Sequence, residues 1–343
     1  MIKYIRESDC NFMFSVTQRI KIIKQPYCGY LPNKYFDRIS LEDNNQLYLN
    51  ENISAALVGM AVDYLTRLML GASVEDAFSI SIEGSKCVNE ERKARKLLKK
   101  IRGLDDKSII AATKLVGYDV CYRSSIAYFK SIDNINPDEN TIYNIRIMVE
   151  RSKKFFEKYG PIIKSHVTFE GGYTLIVSSG DGDFMTKDTL WDFKVSKNHP
   201  TNQHTLQILM YYILGLHSIY PEFKFITNLG FFNPRLNLVY ICKVSEIPKK
   251  VYREVSLKII GYQNEDIDLF EYLFSDICVE EVDPKEKIFI TLDSKNIELI
   301  SEATKFQKGF FRCKVCDFKW NASYRQMKQV TFECPWCRQE KYR

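Results

Sequence analysis

At Gly160-Pro161 the hydrophobic pattern of this chain changes period. Upstream, from Asn52 onward, apolar residues recur at helical spacing; Ile53, Leu57, Met60, Tyr64 and Leu68 mark the first such face. Downstream come short runs punctuated by Gly-Gly, Ser-Ser-Gly and Lys-Asp, the signature of strands joined by turns. A segment written for a period of 3.6 does not settle as a strand, nor one written for a period of 2 as a helix. The order is helices, a strand cluster, a helix, two strands and a final helix. It predicts an α/β or α+β core with a helical N-terminal portion.

In more detail, residues 1–50 carry no clear period and read as an irregular extension. Asn52 or Ser54 caps a helix that Gly71 ends. Further helices are expected at 74–80, 89–102, 107–131 and 139–159. Strands are expected at Ile162–Glu170, Tyr173–Val177, Asp183–Met185 and Thr189–Val195. A strongly apolar helix follows at 202–218, a strand pair at Lys224–Phe232 and Leu236–Val244, and a helix at 246–262; 265–300 is mixed. The 89–102 segment contains ERKARKLLKKIR. So basic a helix contacts a phosphate backbone or presents a solvated face, and the second is the commoner case.

The chemistry concentrates between Gly180 and Tyr212. Asp181 and Asp183 precede a turn at Lys187-Asp188; Asp192 and Lys194 follow it with Phe193 between them. Side chains alternate along a strand, so Asp192 and Lys194 face a cleft while Trp191, Phe193 and Val195 face the core. Across the hairpin Asp183 approaches Asp192. Aspartate is disfavoured in strands, and here it recurs on one face beside the most apolar stretch of the chain. Two carboxylates and a lysine so arranged suit a hard divalent cation and a water to be activated. Gln207 and Tyr211, four apart on the next helix, share one face of it.

Gly180-x-x-Asp183, Asp192-x-Lys194 and Gln207-x-x-x-Tyr211 together resemble motifs II, III and IV of the RecB-like branch of the PD-(D/E)XK nuclease superfamily. The resemblance spans roughly Asn52 to Val244 and implies a restriction-endonuclease-like core, a short mixed sheet flanked by helices. It implies Mg²⁺- or Mn²⁺-dependent hydrolysis of DNA phosphodiesters, with endonucleolytic cutting of double-stranded DNA favoured. Asp183, Asp192 and the Phe193 carbonyl would hold the ion, Lys194 would position water or stabilise the transition state, Gln207 and Tyr211 would orient the site, and Asp181 would support it. The family's earlier G-x-x-x-H motif has Asp63 in place of histidine, in Gly59-Met60-Ala61-Val62-Asp63. Either Asp63 or Glu157 fills that position. The alternative is a non-catalytic nucleic-acid-binding or adaptor protein on a nuclease-like fold.

Four of the ten cysteines form two C-x2-C pairs, Cys313/Cys316 and Cys334/Cys337, separated by seventeen residues. Two such knuckles complete a tetrahedral zinc site, and their symmetry favours zinc over an iron–sulfur cluster. The segment from Phe310 to Cys337 resembles a zinc ribbon, a module that contacts nucleic acid or docks a protein partner. The other six, Cys10, Cys28, Cys87, Cys121, Cys242 and Cys278, read as buried free thiols. Residues 305–343 carry ten Lys/Arg against three acids, while the whole chain is only +6. A basic terminal module on a near-neutral body points to a polyanion such as DNA. The expected division is therefore an extension at 1–50, a nuclease domain at 51–300 with a helical insertion at about 72–137, and a ribbon at 303–343. No apolar run nears the ~20 residues of a membrane span, and MIKYIRESDC has no apolar leader core. No membrane association and a cytoplasmic location are expected.

Overall fold

In the computed structural model, which describes residues 13–263, 297–299, 309–316 and 319–322, the change of period at Gly160 is a change of architecture. The helices are α1 (Val16–Ile22), α2 (Ala55–Met69), α3 (Val74–Ala77), α4 (Ser79–Cys87), α5 (Glu91–Leu98), α6 (Asp106–Leu115), α7 (Asp119–Arg123), α8 (Glu139–Tyr159), α9 (Asn202–His217) and α10 (Lys249–Glu254). The strands are β1 (Phe14–Ser15), β2 (Asp37–Ser40), β3 (Lys164–Val167), β4 (Val177–Ser179), β5 (Gly182–Met185), β6 (Thr189–Phe193), β7 (Asn228–Asn233), β8 (Leu238–Lys243), β9 (Ile297–Leu299), β10 (Gly309–Cys313) and β11 (Lys319–Ala322).

Of the two candidate caps for α2, Ser54 is the one used: its hydroxyl accepts from the Leu57 amide. Asn52 instead braces the start of α8, accepting from Asp138 N–H at 3.0 Å and from the Thr141 hydroxyl at 3.1 Å. The helix expected at 107–131 is broken into α6, a 3₁₀ turn and α7. Buried Asp119, at the start of α7, accepts hydroxyl hydrogen bonds from Tyr64 and Ser81. The helix expected at 246–262 shortens to α10 and then widens into a π-helical turn, Val255–Ile260, with hydrogen bonds reaching one residue further than in an α-helix.

A mixed six-stranded sheet in the order β2-β8-β7-β6-β5-β3 forms the centre. Only β6 and β7 run parallel within it, and α9 supplies the crossover that a parallel pair requires. The pleat sorts the core cleanly. Phe184, Trp191, Phe232 and Val239 pack with Phe155 of α8 on one face. Their neighbours Met185, Leu190, Phe231 and Tyr240 pack with α9 on the other. Asp183 and Asp192 carry the parity of the α9 face. The strand expected at Ile162–Glu170 shrinks to β3. That at Tyr173–Val177 shifts to β4, which pairs with β1 outside the main sheet; in the strand expected at Lys224–Phe232, a 3₁₀ turn at Pro221–Phe225 takes the first two residues and β7 begins at Asn228.

The segment before residue 50 is less irregular than its composition suggests. β2 forms an edge of the main sheet, and Val16, Ile20, Leu31 and Phe36 are buried in the α9-side core. Arg151 of α8, itself buried, pairs with Asp43 and donates to the carbonyls of Asn45, Pro234 and Arg235. Burying a guanidinium is tolerable only with such complete pairing. Of the lone cysteines, Cys121 and Cys242 are buried as expected, but Cys28 and Cys87 are exposed. Cys10 and Cys278 lie outside the described residues.

The chain divides into two compact units, Met1–Ser275 and Asp276–Arg343. In the second, β9, β10 and β11 form an antiparallel sheet in the order β11-β10-β9. No helix among the described residues is long and apolar enough to cross a membrane.

Candidate functional site

Strand register brings the acidic residues together. Phe184 pairs with Trp191 and Met185 with Leu190, which sets Asp183 directly across from Asp192. Ser165 pairs with Phe184 and Val167 with Gly182, which sets His166 across from Asp183 on the other side. The three side chains therefore form a row across β3, β5 and β6. Asp181 lies one residue before β5 rather than within it.

Asp192 is buried, with 4% of its surface exposed. Its Oδ1 accepts from Lys194 Nζ at 2.9 Å. Its Oδ2 lies 2.8 Å from the same nitrogen, but outside hydrogen-bonding direction, and has no hydrogen-bond partner. Lys194 sits one residue past β6, and its amide extends the ladder by donating to the Phe232 carbonyl at 2.9 Å. Burial and the nearby charge of Asp183 push the Asp192 carboxyl up to about 6, against the opposing pull of Lys194. Burial works to lower the Lys194 ammonium, but the charges of Asp192 and Asp183 outweigh it and hold its pKa above the ordinary value. The lysine and buried aspartate are thus an ion pair at neutral pH.

Asp183 is half-buried, and its Oδ2 accepts from the Phe193 amide at 2.6 Å. It also lines a cleft of about 400 Å³ together with Asp63, Arg67, Arg123, His166 and Asp181. Asp192 and Lys194 do not line that cleft; they lie in the wall beneath Asp183. The sequence reading had them facing it. The difference arises because α9 packs against β6 on their face of the sheet, with Asp192 buried and 25% of the Lys194 side chain left exposed.

On α9, Gln207 Nε2 donates to the Tyr211 hydroxyl at 2.9 Å. Burial raises the Tyr211 phenol well above its ordinary pKa, helped by the charges of Asp192, Asp183 and Asp181. Gly180 allows this approach: a Cβ there would meet Tyr211 Cε1 at 3.1 Å and Val16 Cγ2 at 3.0 Å. All five residues from Asp183 to Tyr211 singled out in the sequence share one neighbourhood.

Asp63 of α2 reaches the same cleft but is already engaged. Arg67, one turn on, grips it with two bonds, Nε to Oδ1 at 3.0 Å and Nη2 to Oδ2 at 2.9 Å. Burial and the charge of Asp183 raise the Asp63 carboxyl, with Arg67 opposing them. The third guanidinium nitrogen of Arg67, Nη1, donates to His166 Nε2 at 2.9 Å. Arginine has no acceptor, so this imidazole nitrogen is unprotonated. His166 has a left-handed backbone (φ 51°), unusual for a non-glycine residue within a strand. Glu157 is exposed on α8 and does not line the cleft.

Arg67, Arg123 and His166 were not singled out from the sequence. Arg67 carried a signal, since it stands four residues after Asp63 on one helix. His166 carried none, because its place depends on the pairing of β3 with β5.

Among the described residues, no group of three or more His, Cys, Asp or Glu side chains is arranged to hold a metal ion. The donors nevertheless suit a hard cation. Asp192 Oδ2 is the one buried carboxylate oxygen among the described residues without a hydrogen-bond partner, and Asp183 stands across the hairpin from it. Of the four cysteines in the two C-x2-C pairs, Cys313 ends β10 and is buried, while Cys316 closes the turn that follows. Cys334 and Cys337 lie outside the described residues.

Comparison with family models, with curated proteins and with solved structures returns no match.

Proposed function

We propose that the chain is a divalent-metal-dependent nuclease that hydrolyses DNA phosphodiester bonds, built on a restriction-endonuclease-like core. One observation carries the reading: Asp183 and Asp192 oppose each other across β5 and β6, with Lys194 ion-paired to the second, whose buried Oδ2 accepts no hydrogen bond. An oxygen pair of this kind favours Mg²⁺ or Mn²⁺ over softer metals. Asp183, Asp192 and the Phe193 carbonyl would hold the ion. Once bound, it supplies Lewis-acid chemistry, acidifying water and offsetting charge on the phosphate.

The chain's own residues do the rest. Lys194 keeps Asp192 ionised, so the carboxylate is ready as a ligand. Displaced from Asp192 by a ligand cation, its ammonium is free to donate to a water or a phosphate oxygen. Gln207 fixes the Tyr211 hydroxyl against the same wall. Arg67 and Arg123, lining the open side, face an incoming phosphate with positive charge. The C-terminal unit is proposed to hold one structural zinc through Cys313, Cys316, Cys334 and Cys337, and to contact DNA or a protein partner.

A second reading, a nucleic-acid-binding protein without catalysis, is favoured by the saturation of Asp63 by Arg67. Incubation of linear and circular, single- and double-stranded DNA with Mg²⁺ or Mn²⁺ separates the two. Cleavage by the wild type and none by Asp192→Asn, with folding checked by circular dichroism, is expected. Binding without cleavage under every condition would leave the second reading standing.

A further inference from the structure

Away from the acidic site, α5 and α6 pack side by side and enclose a cleft of about 930 Å³. Seven cations line it: Lys93, Lys96, Lys99, Lys100, Arg102, Lys107 and Lys114. Only two acids do, and both are occupied. Asp105 caps α6 through the Ser108 amide, and Asp133 pairs with Lys93. Lys114 donates to Asn136. The remaining five cations are exposed, and among the described residues none has an ion-pair partner.

Helix stability explains part of this. Cations after α5 complement the negative end of its dipole. Lys107 cannot be explained so. It lies in the first turn of α6, the positive end, where a cation is disfavoured. Crowded like charges on one turn, as at Lys96, Lys99 and Lys100, also destabilise a helix. A solvated face would spread these charges; here two helices and their connection converge them on one concavity. Its floor, Leu97, Ile110, Ala111 and Ile132, is apolar and offers no counter-charge.

We propose that this cleft binds the phosphate backbone of double-stranded DNA. A duplex presents a charge every ~1.7 Å along its axis, so a groove with five unpaired cations meets several phosphates at once. The proposal deepens the nuclease reading, and rests on it, by assigning where the duplex is held apart from where it would be cut.

The test is binding of a labelled duplex by the full chain in EDTA, across a salt series, by fluorescence anisotropy. The variant Lys96→Gln/Lys99→Gln/Lys100→Gln/Lys107→Gln is compared with a charge-matched control, Lys21→Gln/Lys24→Gln/Lys249→Gln/Lys250→Gln, whose lysines are exposed elsewhere. Loss of affinity of at least about tenfold is expected in the cleft variant, with the salt slope flattened by about 3 to 4 units, and little change in the control. Equal losses in both variants, or none in the cleft variant, would overturn the proposal. Should the fourfold variant prove misfolded by circular dichroism, Lys107→Gln alone carries the test, with a slope change of about 0.9 expected and an unchanged slope overturning it. Cleavage with Mg²⁺ is scored separately. A wild type that binds through the cleft but never cuts supports the cleft and refutes the nuclease reading. One that cuts, with binding indifferent to the cleft lysines, does the reverse.

Discussion

Lys194→Met removes the only cation paired with a carboxylate that is 4% exposed. Read as a catalytic lysine alone, the residue could be removed without harm to the fold. Its geometry demands otherwise. Removing one partner of a buried ion pair costs about 3 to 5 kcal/mol, because the other charge is left uncompensated. Asp192 can escape part of this by taking up a proton, since burial and Asp183 already hold it at about 6 with the lysine present. Without Lys194 its pKa rises further. The unfolded chain has an aspartate near ~3.9. Between that value and the raised one, the folded state binds more protons, so stability falls as pH rises, by up to about 1.4 kcal/mol per unit. In the wild type this decline fades about one unit above that folded value of about 6, where Asp192 is nearly all ionised in the folded state. In Lys194→Met it should continue through pH 7 and 8. Urea unfolding followed by the fluorescence of buried Trp191, next to Asp192, reads both effects. The variant should be about 3 kcal/mol less stable at neutral pH and approach the wild type in mild acid. Adding Asp192→Asn should recover most of the loss, by leaving no buried charge. A Lys194→Met protein as stable as the wild type at every pH, with an unchanged m-value, would refute the buried-pair reasoning.

His204 gives the opposite pH sign. Burial and the charge of Lys194 depress its imidazole to about 4, and its Nδ1 accepts from the Thr201 amide at 3.1 Å, a bond that only the unprotonated nitrogen can make. Its contribution should be complete above an ordinary histidine pKa of about 6.5 and should fade as pH drops toward 4; His204→Gln should flatten that part of a stability–pH curve. Gly180→Ala drives a methyl against Tyr211 and Val16 and should cost about 1 to 3 kcal/mol, measurable by thermal melting, with cleavage reduced more than DNA binding. Elemental analysis should find one zinc per chain, lost in Cys313→Ser, and that loss should leave the pH behaviour of Asp192 unaltered, since a four-cysteine site is closed to substrate.

The residues legible in the sequence are those whose relative positions follow from local periodicity. Asp192 and Lys194 share a face because a strand repeats every two residues, and Gln207 and Tyr211 meet because a helix repeats every 3.6. The tight hairpin then determines that Asp183 stands across from Asp192. Legibility fails where a contact depends on distant pairing. β2 has no apolar alternation of its own and becomes a strand because β8 offers it an edge. His166 reaches the site through the register of β3 on β5 and a left-handed backbone that no propensity would suggest.

Asp63 shows how the two kinds of information combine. Its helical position aims it at the cleft, as a ligand would be, yet the same periodicity puts Arg67 one turn away, and the guanidinium takes both carboxylate oxygens. A carboxylate so held has little left for a cation, whereas Asp192 is held through the single nitrogen of Lys194 and its buried Oδ2 accepts no hydrogen bond. The divalent-ion reading therefore depends on Asp183 and Asp192. The role of Asp63 is to hold Arg67, through which the charge of α2 is carried to His166 and to the edge of Asp183. For Asp63 to join the ion, Arg67 must leave it, and the natural acceptor for a guanidinium released at that edge is the phosphate of a bound substrate. Substrate arrival and completion of the metal site would then be one coupled event.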